Sequence, residues 1–123
     1  MLCAVTPRLP HSVYDRGTDP DPRFSLANER TFLAWIRTAL ALTGGAVAVH
    51  APALGFPTWV SVALSAIALV LAAVAVSQAY LRWRRTEVAV RTGASMPGFS
   101  GGMVFAVGVG LLVVTALVAT VIR

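Results

Sequence analysis

Three apolar stretches, each long enough to cross a bilayer, decide what this chain can become: Thr31 to Ala51, broken only by Arg37; Trp59 to Leu81, without a charge; and Met103 to Ile122, likewise uncharged. A hydrocarbon core of about 30 Å takes about 20 helical residues to cross. Apolar residues run continuously instead of alternating, and backbone groups in lipid must be bonded within their own segment, so the spans are helices and not barrel strands. With 57% hydrophobic and only 12% charged residues, the chain lacks the polar side chains that a soluble domain of 123 residues needs for its surface. The sequence therefore predicts an all-α membrane protein with three transmembrane helices, over about 22–51, 58–85 and 101–122, in a membrane domain covering 21–123.

Residues 1–20 contain Pro7, Pro10 and Pro20, no apolar periodicity and scattered charges, the pattern of a disordered tail. No cleavable signal peptide is expected, because the first 30 residues are polar and the first apolar run is of full spanning length. Cys3 is the single cysteine, so neither an internal disulfide nor a thiolate cluster is available, and His11 and His50 lack a second ligand at a metal-like spacing. Neither a metal nor a cofactor is expected.

Orientation follows from the arginines. Arg8, Arg16, Arg23 and Arg30 precede the first span and Arg82, Arg84, Arg85 and Arg91 follow the second, whereas the "HAPALGFP" turn between the two carries no Lys or Arg. Positive loops stay inside, which puts the amino terminus, and with it the 1–20 tail, in the cytoplasm and the carboxyl terminus outside. Tyr80 and Trp83 then mark the inner interface, with Phe56 and Trp59 at the outer one. The net charge of +5 falls almost wholly on one side, where it would attract anionic headgroups or another polyanion.

The stretch "NERTFLAWIRTALALTGG" places a permanent charge, Arg37, inside an apolar run. Asp21 followed by Pro22 is a helix start, so the first helix begins before lipid does. In that helix Arg23, Arg30 and Arg37 are spaced by sevens, a drift of about 20° per step, and share one face. Arg37 lies about 9 Å beyond Thr31, where an arginine costs up to ~2.5–3.5 kcal/mol on insertion scales. Such a charge faces a bundle interior or a wet cavity, or else pairs with Glu29 or reaches back to the interface. Small residues at every fourth position, Gly102–Ala106–Gly110, Ala41–Gly45 and Ser61–Ser65, allow helices to approach closely within or between chains.

"DPRFSLANERTFLAWIRTALAL" closely resembles the hallmark segment of the YidH-type small inner-membrane proteins, a domain of unknown function shared with the membrane subunits of the vacuolar transporter chaperone complex that makes and translocates polyphosphate. The likeness is most specific in "ANERTFLAW" and continues in the aromatic and basic cluster "YLRWRR". It implies a multi-pass protein of the bacterial inner membrane whose first helix lines a pore in an oligomer of about five copies. It further implies that Arg23 and Arg30 face the pore, that an acidic residue stands at the Glu29 position, and that Arg84 matches the basic residue of the second-helix cluster. Glu29, one residue from Arg30, is expected to pair with Arg84 or Arg30 of the same or a neighbouring subunit and so to position the cationic face. Arg37 departs from the eukaryotic subunits, where this position is not basic. The catalytic and phosphate-sensing domains of that complex have no counterpart in 123 residues.

No nucleophile and base at a recognisable spacing, no intramembrane carboxylate pair and no strand before the "TGASMPGFSGG" glycines are present, so enzyme activity is not expected. Two functions stay open. One is an oligomeric pore or transport module for anions, polyphosphate among them, with Arg23, Arg30, Arg37 and Arg84 as its anion-binding residues. The other is a structural subunit that binds a partner protein or anionic lipid through Arg82, Arg84, Arg85 and Arg91. The expected partners are membrane lipid, further copies of the chain and a polyanion, but not nucleic acid. The arginine distribution makes one immediate prediction: a reporter fused after Arg123 reads as external and one inserted near Thr92 as cytoplasmic, and the reverse pattern overturns the orientation.

Overall fold

The first long helix starts as its caps dictate: the Asp21 carboxylate accepts from the Arg23 amide at 2.9 Å and Pro22 occupies the first turn, where its missing N–H removes no bond. The computed structural model describes residues 7–122, in which a short helical turn α1 (His11–Tyr14) precedes α2 (Pro22–Ala48), α3 (Thr58–Thr92) and α4 (Ser100–Ile122), with a single 3-10 turn at Pro52–Leu54. The last three helices are each long and apolar enough to cross a membrane. At 35 residues, α3 outruns a bilayer and projects two turns beyond the 58–85 expected of it. The extra turns form because Glu87 and Arg91, four residues apart and both buried, find partners in α2 and in the tail, as described below. Gly93, left-handed at φ 68°, then ends the helix.

The tail also departs from expectation. Residues 7–20, read from sequence as disordered, fold back over α3, with Val13 fully buried and the Thr18 amide donating to the Arg91 carbonyl at 3.2 Å. Gly17 makes this crossing possible, being left-handed at φ 63° and so close to Arg91 that a Cβ would collide with its carbonyl. Residues 1–6, including Cys3, lie outside the described part.

α2 packs along α3 through positions that alternate by threes and fours: Ser25, Asn28, Phe32, Trp35, Ala39, Leu42, Ala46 and Val49. This is the a/d seam of a left-handed helix pair. α3 meets it with small residues, Ala68, Ala72, Ala75 and Ala79 among them, so the two backbones run close and dispersion contacts accumulate where lipid gives no hydrophobic drive. At the end of the seam nearest the turn between α2 and α3, the Ser61 hydroxyl donates to the Val49 carbonyl at 3.1 Å and the Ser65 hydroxyl to the Ala46 carbonyl at 2.7 Å. With the Ser65 proton so engaged, His50 Nε2, 2.7 Å away, is the donor to the Ser65 oxygen. Ser61 and Ser65 thus serve packing within the chain.

α4 rests on α3, and the Trp35 and Phe105 rings, edge-on at 5.1 Å, bridge it to α2. Its close contacts run through Gly101, against Gln78, and Gly108, against Leu71. The stripe Gly102–Ala106–Gly110 does not make this contact, since Gly102 faces its own Phe99 and Gly110 faces open space. Most of α4 is exposed apolar surface, as suits a helix bathed in lipid.

Candidate functional site

At the end of the seam formed by the start of α2 and the last turns of α3, four polar side chains are withdrawn from solvent together. Ser25 and Asn28, one turn apart on α2, point at Glu87 of α3, which is only 3% exposed. The Ser25 hydroxyl donates to Glu87 Oε1 at 2.9 Å, and Asn28 Nδ2 donates both to Glu87 Oε2 at 3.1 Å and to the Trp83 carbonyl at 3.0 Å. On the other side Arg91 Nε lies 3.4 Å from Glu87 Oε1, an ion pair without hydrogen-bond geometry. Arg91 is itself 6% exposed, and its outer nitrogen reaches Asp19 of the tail at 3.0 Å while its guanidinium lies over the Tyr14 ring at 4.7 Å. A carboxylate removed from water is costly unless its lone pairs are occupied and its charge is paired, and here two donors from α2 bond it while the Arg91 guanidinium balances its charge. The cluster therefore fixes the rotation of α2 about its own axis relative to α3.

That rotation places the arginines. Labelling the seam positions a and d, Arg23, Arg30 and Arg37 all fall at f, on the order of 170° round the helix from the seam. All three are exposed, and none makes an ion pair among the described residues. The column is flanked by two others of uniform character. Leu26, Leu33, Leu40 and Val47 fill every b position and are more than half exposed; Ala27, Ala34, Ala41 and Ala48 fill every c position. Thr31 and Thr38, beyond the alanines, turn their hydroxyls back onto the Ala27 and Ala34 carbonyls and so leave no unbonded donor toward lipid.

Of the other residues singled out from sequence, Arg84 does not join this column. It is exposed on the side of α3 turned away from α2, beside Arg85. Glu29 is exposed and pairs with neither Arg30 nor Arg84 among the described residues; it borders a groove with Pro10, Phe32, Leu33, Tyr80 and Trp83. Arg91 is not part of a surface patch, because it is buried against Glu87 and Asp19. Sequence reasoning missed Ser25, Asn28, Glu87 and Asp19. The available signal was the pairing of polar residues at i,i+3 in α2 with opposite charges at i,i+4 just past "YLRWRR", but a helix ended at residue 85 hides it. Among the described residues no three of His, Cys, Asp and Glu come together to hold a metal.

All but the first two residues of the hallmark segment, which runs from Asp21 to Leu42, fall within the stretch, residues 23–89, matched by the model of a domain of unknown function (DUF202). The chain is 48% identical to the inner membrane protein YidH of Escherichia coli over 82 residues, which are 66% of this chain and 71% of that protein. The YidH of Shigella flexneri matches equally. An uncharacterised protein of Mycobacterium tuberculosis is 40% identical over 113 residues, 89% of this chain and 92% of its own length. No solved structure matches. With its three candidate spans, this chain is a multi-pass protein of the bacterial inner membrane.

The cluster predicts a contrast between two glutamates. Glu87→Ala leaves Arg91 buried without its buried partner, Asp19 being exposed, and lowers stability by about 3–5 kcal/mol, whereas Glu29→Ala, at an exposed position, stays within about 0.5 kcal/mol in the isolated chain. Chemical denaturation in detergent measures both. Equal losses contradict the assignment of Glu87 as the anchor.

Proposed function

This chain belongs to the DUF202 family, and on that ground we propose that its copies assemble into a cyclic oligomer in which the α2 arginines line a path for anions. The observation that carries the reading is the register of α2: the seam buries one face against α3 and turns Arg23, Arg30 and Arg37 to the opposite face. In a lone chain that face would present Arg37 to lipid, at a cost of up to ~2.5–3.5 kcal/mol, the mid-bilayer figure. A shared aqueous axis removes the conflict. The flanking columns supply the means of closure, because the large b side chains of one copy fit the alanine c column of the next. Such a head-to-tail contact repeats around a ring. The resemblance to the polyphosphate complex supports about five copies and a phosphate-rich anion. With the amino terminus cytoplasmic, Arg23 and Arg30 stand at the inner mouth and Arg37 within the membrane, and successive charges are about 10 Å apart along the axis. Stacked rings of arginine draw in anions as charged rings do in anion pores. No catalytic step is part of this reading.

Arg37 tests it. If the side chain faces a shared wet path, Arg37→Leu preserves or improves stability, because a costly intramembrane charge is gone, while anion flux through reconstituted protein falls at least about tenfold. Arg37→Glu reverses the field and lowers anion flux further. Lost stability with unchanged flux per assembled complex makes Arg37 a structural residue and favours the scaffolding role.

A further inference from the structure

On the side of α3 turned away from α2 lies an open cavity of about 430 Å³ between the folded-back tail, the last turns of α3 and the segment leading to α4. Three guanidinium-bearing residues reach it from two parts of the chain, Arg16 from the tail and Arg84 and Arg85 from α3, and no carboxylate lines it. None of the three arginines is engaged in an ion pair among the described residues. Ser95 borders the same space. Thr92 apart, the remaining wall is apolar, with Leu81, Val88 and Pro97 in it. Leu81 is the last residue of the uncharged span, so the cavity straddles the level at which hydrocarbon gives way to charge.

We propose that this cavity binds the phosphate-bearing headgroup of an anionic phospholipid of the inner leaflet. Arginine is suited to the phosphate because its planar fork donates two parallel hydrogen bonds to the oxygens, and three such groups around one opening exceed the charge of a single phosphodiester. The apolar wall then separates a lipid from a free phosphate ion. On the membrane side of the arginines, Leu81 offers an acyl chain a surface continuous with the bilayer, which a solvated ion does not use. Arg16 reaches the site only because the tail is held down by the Asp19–Arg91 pair, the Thr18–Arg91 backbone bond and the tight passage at Gly17. The site is separate from the α2 column and does not depend on whether that column conducts.

The test is a titration of the full chain, in phosphatidylcholine nanodiscs, with phosphatidylglycerol, read as retained anionic lipid per chain by native mass measurement. Arg16→Gln, Arg84→Gln and Arg85→Gln should each weaken retention roughly fivefold, the equivalent of one arginine–headgroup contact. Arg82→Gln removes the same charge at the same level from a residue outside the cavity, and should change retention less than twofold. An equal loss in Arg82→Gln means that unspecific surface charge is at work and overturns the site. Absence of any preference for phosphatidylglycerol over phosphatidylcholine overturns it as well. Inorganic phosphate is the remaining arm: if it alone raises thermal stability in lipid-free detergent, through the same three arginines, the ligand is a free phosphate and the lipid assignment fails.

Discussion

One buried carboxylate organises this molecule. Glu87 lies where the polar end of the α2–α3 seam leaves the membrane, accepts hydrogen bonds from Ser25 and Asn28 of α2 and pairs with the charge of Arg91 on its own helix. An apolar seam of alanines tolerates sliding and rotation, because one methyl group packs much like another. Hydrogen bonds to a sequestered charge do not, since each misplaced donor leaves a lone pair unmet at a cost of about 1–3 kcal/mol. At the other end of the pair, Ser61 and Ser65 act similarly on the α2 carbonyls. The helices are thus pinned at both ends and merely packed between.

From that pinning the remaining features follow. Once Ser25 and Asn28 face inward, a helix repeating every seven residues must carry Arg23, Arg30 and Arg37 on the reverse face, with a leucine column on one flank and an alanine column on the other. The same anchor extends outward through Arg91, whose second partner is Asp19, and so holds the tail across α3 and brings Arg16 toward Arg84 and Arg85. The positive charge that the composition shows as a single excess is divided by the fold into two separate groups, one on α2 and one behind α3.

Much of this was legible in the residues. Hydropathy located the three spans, Asp21–Pro22 the start of α2, and the spacing by sevens the shared face of the three arginines. What sequence did not reveal was the direction of that face, because it depends on which α2 residues meet α3, and Asn28 reads as one polar residue among several in "ANERT". The helical extension to Thr92 was hidden because four arginines in ten residues look like the end of a span, although they are only the end of its apolar part. The tail was read as disordered from its prolines, yet one buried valine, one aromatic ring under Arg91 and one left-handed glycine suffice to order it. Arg84 and Arg91 were grouped by sequence proximity, and the helical turn sends one to the surface and the other into the core.

The central claim is that the f face of α2 points toward a common axis of several copies. Spin labels placed singly at Arg30→Cys and Arg85→Cys, with Cys3 replaced by serine, test it by dipolar distance measurement between copies in nanodiscs. The account predicts interchain distances clearly shorter from position 30, on the column, than from position 85, behind α3. A longer distance from position 30 than from position 85, or no dipolar coupling between copies at either position, would contradict it.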